Sequence, residues 1–253
     1  MEALLAGRHA VVSGGSRGIG RAVAAALTGA GAAVSILGRD RTALADAVAA
    51  KAAVRSFTAD VTDEAQCRAA LAAAEGEAGP VDIMIANAGG AESAPFAKSD
   101  THLFRRMLDL NLMGAVHVTR PVIGGMAERG FGRVVIIASL AGLRGYAYVA
   151  AYCAAKHAAV GLARALAAEF DGTGVTVNAV CPGYTDTDLV RTSIDRIVKK
   201  TGRTREVALA AMLAPDAQQE LIAPEEVAAA VLQLCSPGAS GINGEAIAVE
   251  KKD

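Results

Sequence analysis

The chain has 253 residues, of which 20% are charged and 4% aromatic, and its formal net charge at pH 7 is −1. A near-neutral balance without tryptophan offers neither the basic footprint nor the stacking platform typical of nucleic-acid binding. The four cysteines form no Cys-x-x-Cys pair and have no zinc-type spacing, so we expect reduced thiols and no metal site. Neither a leader pattern nor an apolar run of about 18 residues occurs, which predicts a soluble, cytoplasmic protein without a membrane partner.

Short β-branched runs alternate with alanine-rich segments of helical periodicity along the chain. This alternation is typical of βαβ units, and runs that are apolar on both faces indicate a sheet covered by helices on each side. We predict one α/β domain over 1–253, a doubly wound, three-layer Rossmann-type fold with seven parallel strands. The predicted strands are 9–13, 33–37, 54–58, 81–86, 132–138, 175–181 and 245–249. The predicted helices are 18–30, 40–50, 63–78, 100–128, 151–170, 188–213 and 224–235.

The segment 187–223 is longer than a usual α/β connection and contains two candidate helices with no strand between them. An insertion at the carboxyl edge of a parallel sheet predicts a helical lid over a ligand. A basic rim on such a lid suits a phosphate-bearing carrier, although solvated helix charges are the more frequent meaning of such a run. Six basic residues fall on it between 191 and 206: Arg191, Arg196, Lys199, Lys200, Arg203 and Arg205.

The first predicted strand runs into a glycine-rich turn that opens a helix. Glycines let the backbone approach a pyrophosphate, which then rests against free N–H groups at the helix N-terminus. Glycines also mark ordinary turns, but the position in the first βαβ unit favours a dinucleotide site. The predicted cofactor contacts in this turn are Ser13, Gly14, Ser16, Arg17, Gly18, Ile19 and Gly20.

The second predicted strand is followed by Arg39, and no acid precedes it. An acid at this point favours a ribose 2′-hydroxyl, whereas an arginine accommodates a 2′-phosphate. Arg17 in the glycine turn offers a second guanidinium for phosphate. We therefore predict NADP(H) as the cofactor, with NAD(H) as the alternative if both arginines are simply solvated.

Tyr152 and Lys156 lie one helical turn apart, thirteen residues after Ser139 at the end of an apolar run. Residues at i and i+4 share a helix face, so the ammonium is expected to lower the phenol pKa from its usual value near 10. Ser139 can hydrogen-bond the oxygen whose charge changes during reaction. A Tyr-x-x-x-Lys pair also occurs by chance in many helices, so its meaning depends on the motifs around it. Tyr146 and Tyr148 lack such a lysine and are predicted to line the substrate pocket.

With these motifs the chain resembles the short-chain dehydrogenase/reductase family along nearly its whole length. The glycine turn is similar to the family's Thr-Gly-x-x-x-Gly-x-Gly, with Ser13 in place of threonine. Ser139, Tyr152 and Lys156 have the family's spacing, and the resemblance implies Asn111 as the fourth catalytic residue. It also implies that Asp60 and Val61 contact the adenine ring, and that the turn with Pro182, Gly183, Thr185 and Thr187 binds the nicotinamide carboxamide. The further cofactor contacts that it implies are Asn87, Ala88, Gly89, Tyr152 and Lys156.

The resemblance implies hydride transfer between a nicotinamide and a carbonyl or carbinol carbon. In that mechanism Tyr152 exchanges the proton, and Lys156 lowers its pKa and binds the nicotinamide ribose. Ser139 polarises the carbonyl, and Asn111 positions a water that relays protons. The family commonly forms tetramers through its fourth and fifth helices, so we expect a homotetramer. The end Val249–Asp253 departs from the family's Asp-Gly-Gly and leaves its subunit contacts open.

The sequence determines the identity of the substrate less well than it determines the fold and the reaction. The family contains many 3-oxoacyl thioester reductases, so we predict a ketone or secondary alcohol, above all a CoA or acyl-carrier thioester. Small or cyclic secondary alcohols and hydroxy acids are alternatives, although Ala91-Glu92 and Ala141 stand where 3-hydroxybutyrate dehydrogenases carry carboxylate-binding Gln and His. A non-catalytic dinucleotide-binding subunit and an epimerase or dehydratase of related fold remain open. Predicted substrate contacts are Ser139, Tyr146, Tyr148 and Tyr184.

Overall fold

Seven parallel strands form one sheet in the order β3-β2-β1-β4-β5-β6-β7, which confirms the predicted architecture. The computed structural model describes residues 3–251, so the chain end at Lys252 and Asp253 lies outside the described residues. The strand order reverses between β1 and β4, where a doubly wound sheet opens a ligand crevice. The strands are β1 (His9–Ser13), β2 (Ala33–Gly38), β3 (Arg55–Thr58), β4 (Ile83–Ala86), β5 (Gly132–Ile137), β6 (Val175–Pro182) and β7 (Ala246–Val249).

Helices cover both faces of this sheet. The first group is α1 (Gly18–Gly29), α2 (Arg41–Ala49), α3 (Glu64–Ala78), α4 (Thr101–Leu108) and α5 (Gly114–Glu128). The second group is α6 (Ala150–Glu169), α7 (Asp188–Thr201), α8 (Arg205–Leu213) and α9 (Pro224–Cys235). Strands β1, β4, β5 and β6 are buried along their whole length because helices pack against each side.

Two apolar clusters form the core, one on each face of the sheet. Neighbouring strand residues point to opposite faces, so Val134 belongs to one cluster and Val135 to the other. The first cluster takes in Val122 of α5 and the second takes in Val231 of α9. Both faces of the sheet are therefore covered by apolar packing, and polar side chains can lie together at its carboxyl edge.

Two predicted helices are interrupted. The predicted helix 100–128 contains a π-helical turn at Asp109–Met113 between α4 and α5. The predicted helix 188–213 ends at Gly202, whose φ of +68° is left-handed, and restarts after Thr204, whose side chain caps α8. Both breaks fall in segments that flank the carboxyl edge of the sheet.

Within residues 3–251, none of the helices is long and apolar enough to cross a membrane. The cysteines Cys67, Cys153, Cys181 and Cys235 are all buried and free. Among these same residues, His, Cys, Asp and Glu side chains form no group of three that could hold a metal ion.

Candidate active site

The predicted motifs meet at the carboxyl edge of the sheet. The glycine turn 13–20 follows β1, residues 87–89 follow β4, Ser139 follows β5 and the segment 182–187 leaves β6. Because all of these strands are parallel and adjacent in the order β1-β4-β5-β6, their ends lie side by side. This is the edge at which α/β sheets of this type bind ligands.

The glycine turn is shaped by close packing. Gly14 and Gly18 adopt left-handed backbone angles, with φ of +65° and +52°. A Cβ added to Gly15 would lie 2.4 Å from the Ile36 side chain, and one added to Gly20 would lie 2.2 Å from the Gly14 carbonyl oxygen. Arg17 is exposed and immediately precedes α1. The turn therefore presents bare backbone and a helix N-terminus, as a pyrophosphate requires.

Asn87 and Ser13 join the glycine turn to β4. The Asn87 side-chain amide donates to the carbonyl oxygens of Ser13, at 2.9 Å, and Gly14, at 3.2 Å. The buried Ser13 hydroxyl accepts from the backbone N–H groups of Asn87 and Ala88 and donates to the Ile85 carbonyl. The Ser13 side chain is thus occupied within the protein, and its role is to support the turn rather than to offer a free contact.

Ser139 and Tyr152 face each other across the end of β5. Ser139 begins a 3-10 turn, where its Oγ accepts from the Ala141 N–H at 3.1 Å. Tyr152 lies in the first turn of α6 and is partly buried. Burial raises the pKa of Tyr152 to about 12, and its hydrogen bond with Ser139 opposes that rise. In the protein by itself the phenol therefore stays protonated at neutral pH.

Lys156 lies behind the Tyr152 ring and is 4% exposed. Its Nζ donates to the Ile137 carbonyl at 2.9 Å and lies 5.7 Å from the Tyr152 ring centroid. Burial lowers the pKa of Lys156 to about 8. The expected lowering of the Tyr152 pKa is therefore wrong for the protein alone, because burial of the phenol is the largest influence on this pKa and outweighs the opposing effect of Ser139.

Asn111 lies in the π-helical turn, which the sequence pattern did not reveal. Its Nδ2 donates to the carbonyl oxygens of Gly90, at 2.9 Å, and Met107, at 3.0 Å. A Cβ on Gly89 would lie 2.8 Å from Asn111 Oδ1 and 3.5 Å from Lys156 Nζ. Glycine at 89 thus leaves room beside both side chains, and the π turn brings Asn111 to the space next to Lys156.

The segment after β6 reaches back to the glycine turn. Thr185 is buried and donates to the Gly183 carbonyl at 3.1 Å. Thr187 donates to the Thr185 carbonyl at 3.3 Å and comes within 3.2 Å of a Cβ placed on Gly18. Pro182 ends the strand. The predicted carboxamide-binding segment and the pyrophosphate-binding turn therefore border one cleft.

Arg39 and Asp60 meet at the far end of the same edge. The Arg39 guanidinium lies 3.5 Å from an Asp60 carboxylate oxygen, and its side chain is 71% exposed. Asp60 also accepts hydrogen bonds from the N–H and hydroxyl of Thr62. Val61 beside it is buried. The structure thus brings together the two residues that the sequence predicts at the ribose and adenine end.

The three remaining predicted tyrosines differ in their surroundings. The Tyr146 hydroxyl donates to Asp216 at 2.6 Å and accepts from Arg144, so it is not free for a substrate. Tyr148 is 67% exposed and left-handed, with φ of +68°. Tyr184 packs on the apolar cluster between α7 and α8. Sequence reasoning missed Arg144 and Asp216 because they are far apart in the chain and belong to no motif.

Together these residues fit a nicotinamide dinucleotide. A glycine turn at a helix start, bare backbone at Gly89 and a phenol beside a buried lysine supply a cradle and an acid–base pair. When bound, such a cofactor supplies hydride, and the phenol supplies or accepts the proton. The site thus defines an oxidoreductase that acts on CH–OH groups and the corresponding carbonyls.

The chain belongs to the short-chain dehydrogenase family, whose model, described as short chain dehydrogenase, matches residues 8–197. It is 37% identical over 235 residues to the acetoacetyl-CoA reductase of Paracoccus denitrificans, which covers 93% of each chain. A variant of actinorhodin polyketide ketoreductase solved with NADPH is 34% identical, with a TM-score of 0.89 and coverage of 96% and 95%. Levodione reductase is 30% identical, with a TM-score of 0.91 and 97% of each chain covered.

Proposed function

We propose that this protein catalyses the NADP(H)-dependent reduction of a 3-oxoacyl thioester to the 3-hydroxyacyl thioester. The observation that carries the proposal is the similarity over 93% of the chain to an acetoacetyl-CoA reductase, since acetoacetyl-CoA is itself a 3-oxoacyl thioester. The similarity to a ketoreductase solved with NADPH supports both the reaction and the cofactor.

Tyr152 is the proposed acid of the reduction. Because burial raises its pKa to about 12, the phenol is protonated at neutral pH and can donate to the carbonyl oxygen. Ser139, which already hydrogen-bonds the phenol, is the proposed second donor to that oxygen. Lys156, with a pKa near 8, can return a proton to Tyr152 at physiological pH. Asn111 is proposed to hold a relay water in the space beside Gly89.

The proposed cofactor contacts follow the carboxyl edge. Bare backbone at the glycine turn would hold the pyrophosphate, and the segment from Pro182 to Thr187 would hold the carboxamide. Asp60 and Val61 would flank the adenine. The exposed guanidinium groups of Arg17 and Arg39 support a preference for the 2′-phosphate of NADP(H) over NAD(H).

The charges around the pocket favour a thioester over a free hydroxy acid. Ala141 is buried, and the Glu92 carboxylate is bound by both Nε and Nη2 of Arg106, at 3.2 and 3.0 Å. Neither position therefore offers a cation to a small carboxylate. Exposed Lys199 and Lys200 lie at the end of α7 in the lid, where a phosphate-bearing carrier could be met by positive charge.

A cyclic ketone is the second candidate substrate. It is favoured by the likeness to levodione reductase, which has a TM-score of 0.91 and covers 97% of each chain. Levodione reductase is nevertheless less similar in sequence, at 30% identity, than the acetoacetyl-CoA reductase at 37%. The two candidates share the acid–base residues and differ in what the lid must recognise.

We also propose a cytoplasmic homotetramer. The exposed side of α6 carries small residues, Ala154, Gly161 and Ala165, which would let a second helix approach closely. The mass of the protein in solution, measured by light scattering after size exclusion, tests this: four chains support the proposal and one chain contradicts it.

The function is tested by following loss of reduced cofactor with purified protein. Acetoacetyl-CoA and a cyclic diketone are compared at equal concentration, each with NADPH and NADH. We expect kcat/KM for the thioester with NADPH to exceed that for the diketone by at least about tenfold, the size of one good recognition contact. A preference for the diketone would favour the second candidate, and turnover of neither would overturn both.

A further inference from the structure

The lid ends in a short segment whose two polar side chains are almost fully buried. Asp216 is 7% exposed and Gln218 6%, although they follow α8 at the outer part of the fold. Each side chain bonds to a different element of the active site. We call Asp216, Ala217 and Gln218 the clasp.

The first arm of the clasp is the Asp216 carboxylate. Its Oδ1 accepts from the Tyr146 hydroxyl at 2.6 Å and pairs with Arg144 Nη2 at 2.8 Å. Arg144 Nε also donates to the Tyr146 oxygen at 3.0 Å, which closes a triangle of polar contacts. A buried carboxylate is tolerated only with such compensating donors. Both donors lie between Ser139 and Tyr152, so this arm holds the loop that carries the acid–base residues.

The second arm is the Gln218 amide. Its Oε1 accepts from the Tyr184 N–H at 3.1 Å, and its Nε2 donates to the Tyr184 carbonyl at 2.7 Å. A Cβ on Gly183 would lie only 2.8 Å from the same Oε1, so glycine is needed there for the contact. This arm therefore holds the segment after β6, which leads to Thr185 and Thr187 at the cofactor cleft.

Ala217, between the two arms, has a left-handed backbone with φ of +51°. This conformation is unfavourable for a residue with a Cβ and persists where the surroundings fix it. The arms on either side provide that constraint. Backbone strain and two buried polar side chains therefore occur in three consecutive residues that bridge the two halves of the site.

We propose that the clasp is a positioning element that couples the cofactor-binding segment after β6 to the loop between Ser139 and Tyr152. Asp216 is its central positioning residue: it holds the substrate pocket in the shape that binds a carrier-linked ketone, without touching the reacting atoms. The proposal rests on the proposed function for its kinetic readout only. It also requires substrate and cofactor binding to strengthen each other, because both depend on the same held segment.

The kinetic test compares Asp216→Asn with Asp195→Asn. Asp195 pairs with Arg205 on the exposed face of the lid and serves as the matched control. We expect Asp216→Asn to raise KM for the thioester about tenfold, the effect of losing a hydrogen bond to a charged group, with kcat within about threefold. The control should leave both constants unchanged. Equal effects of the two variants would overturn the proposal.

A second set of variants separates positioning from folding. Tyr146→Phe removes one donor to Asp216, and the double variant should be no worse than Asp216→Asn alone, since both act through one contact. Arg144→Met should raise KM for the thioester, and Arg144→Lys, which keeps the positive charge, should raise it less. Additive effects, or a parallel fall in kcat and melting temperature without the change in KM, would assign these residues to folding only and overturn the proposal.

Hydrogen exchange tests the clasp without any substrate. We expect amides of α7 and α8 to exchange about tenfold faster in Asp216→Asn than in wild type, and Asp195→Asn to match wild type over α8. If wild type fails to reduce thioesters but the exchange difference is present, the proposed function fails and the clasp stands. If thioesters are reduced and exchange is the same in all three proteins, the clasp is wrong and the function stands.

Discussion

The carboxyl edge of the sheet and the lid are held by different kinds of interaction. At the edge, Lys156 and Asn111 are 4% and 3% exposed. Lys156 donates to the carbonyl of the last residue of β5, and Asn111 donates to one carbonyl in the loop after β4 and to another in α4. Outside the clasp, the lid is held by a small apolar cluster of its own and by exposed ion pairs, such as Arg191 with Asp186 and Arg205 with Asp195. Exposed pairs of this kind contribute about 0–1 kcal/mol each.

This contrast divides the function between the two regions. Acid–base chemistry needs groups held at fixed distances, and the buried edge provides them. Substrate recognition can tolerate movement of the binding groups. The lid supplies charge and an apolar surface, and its side chains are held less rigidly than those of the edge. Variants of the edge should therefore act on kcat, and variants of the lid on KM.

The largest effect is expected from Tyr152→Phe at the edge. Loss of the proposed acid should reduce kcat by about 10²–10⁴, the usual contribution of a general acid. Binding of NADPH, followed by the fluorescence of the reduced nicotinamide, should stay within about threefold of wild type. Turnover near the wild-type rate would remove Tyr152 from the proposed mechanism.

Arg39→Ala should change the choice of cofactor. The variant loses the proposed charge-assisted contact to the 2′-phosphate, so kcat/KM with NADPH should fall about tenfold to a hundredfold while the value with NADH is unchanged. Arg41→Ala at the start of α2 is the control, because it removes a nearby exposed guanidinium. Equal losses with both cofactors, or in both variants, would contradict the preference for NADP(H).

A smaller effect is expected from the lid. Replacing Lys199, Lys200 and Arg203 by glutamine should raise KM for a CoA thioester about threefold to tenfold, since each exposed charge adds little. KM for a small cyclic ketone should not change, and kcat should be unaffected for both. If the two substrates respond alike, the basic lid has no part in recognising a phosphate-bearing carrier.

A change of stability with pH, rather than of turnover, is expected from Lys156. The pKa of Lys156 is about 8 when folded, below its usual 10.5, so between these pH values the unfolded chain binds more protons and this residue makes stability rise with pH. Below pH 8 the buried ammonium costs stability. Buried Cys67 and Cys181, with raised pKa values of about 11, act in the opposite direction at high pH.

Lys156→Met isolates this contribution. Compared with wild type, its melting temperature should gain most below pH 8 and progressively less up to pH 10.5, measured by scanning calorimetry without cofactor. Lys199→Met, an exposed change on α7, should show a constant difference across the same range. A Lys156→Met difference that does not vary with pH would contradict the lowered pKa.

The edge was predictable because its signals are local in sequence. The glycine turn, the i and i+4 spacing of Tyr152 and Lys156, and the alternation of strands and helices each follow from short patterns. The seven strands accordingly formed where predicted, within one or two residues. The ion pair between Arg39 and Asp60 was not predicted, although the two residues come one and two positions after the adjacent parallel strands β2 and β3.

What the sequence did not reveal depends on contacts between distant segments. Asp216 meets Tyr146 across 70 positions, and no motif marks either residue. The π turn that contains Asn111 has no sequence pattern of its own, and the hydrogen bonds of the Asn111 amide appear only in the folded chain. The raised pKa of Tyr152 comes from burial, which spacing alone does not report. Substrate preference is another property that the sequence did not reveal, because the lid is held in place by contacts between distant segments.

The most direct measurement is the fate of the transferred hydride. NADPH that carries deuterium at the reactive C4 position is incubated with acetoacetyl-CoA and wild-type protein, and the product is analysed by mass spectrometry. We predict one deuterium at C3 of the 3-hydroxyacyl thioester, and a product yield that Tyr152→Phe lowers by a factor of about 10²–10⁴. Unlabelled or absent hydroxyacyl product from wild type, under conditions in which a cyclic diketone becomes labelled, would contradict it.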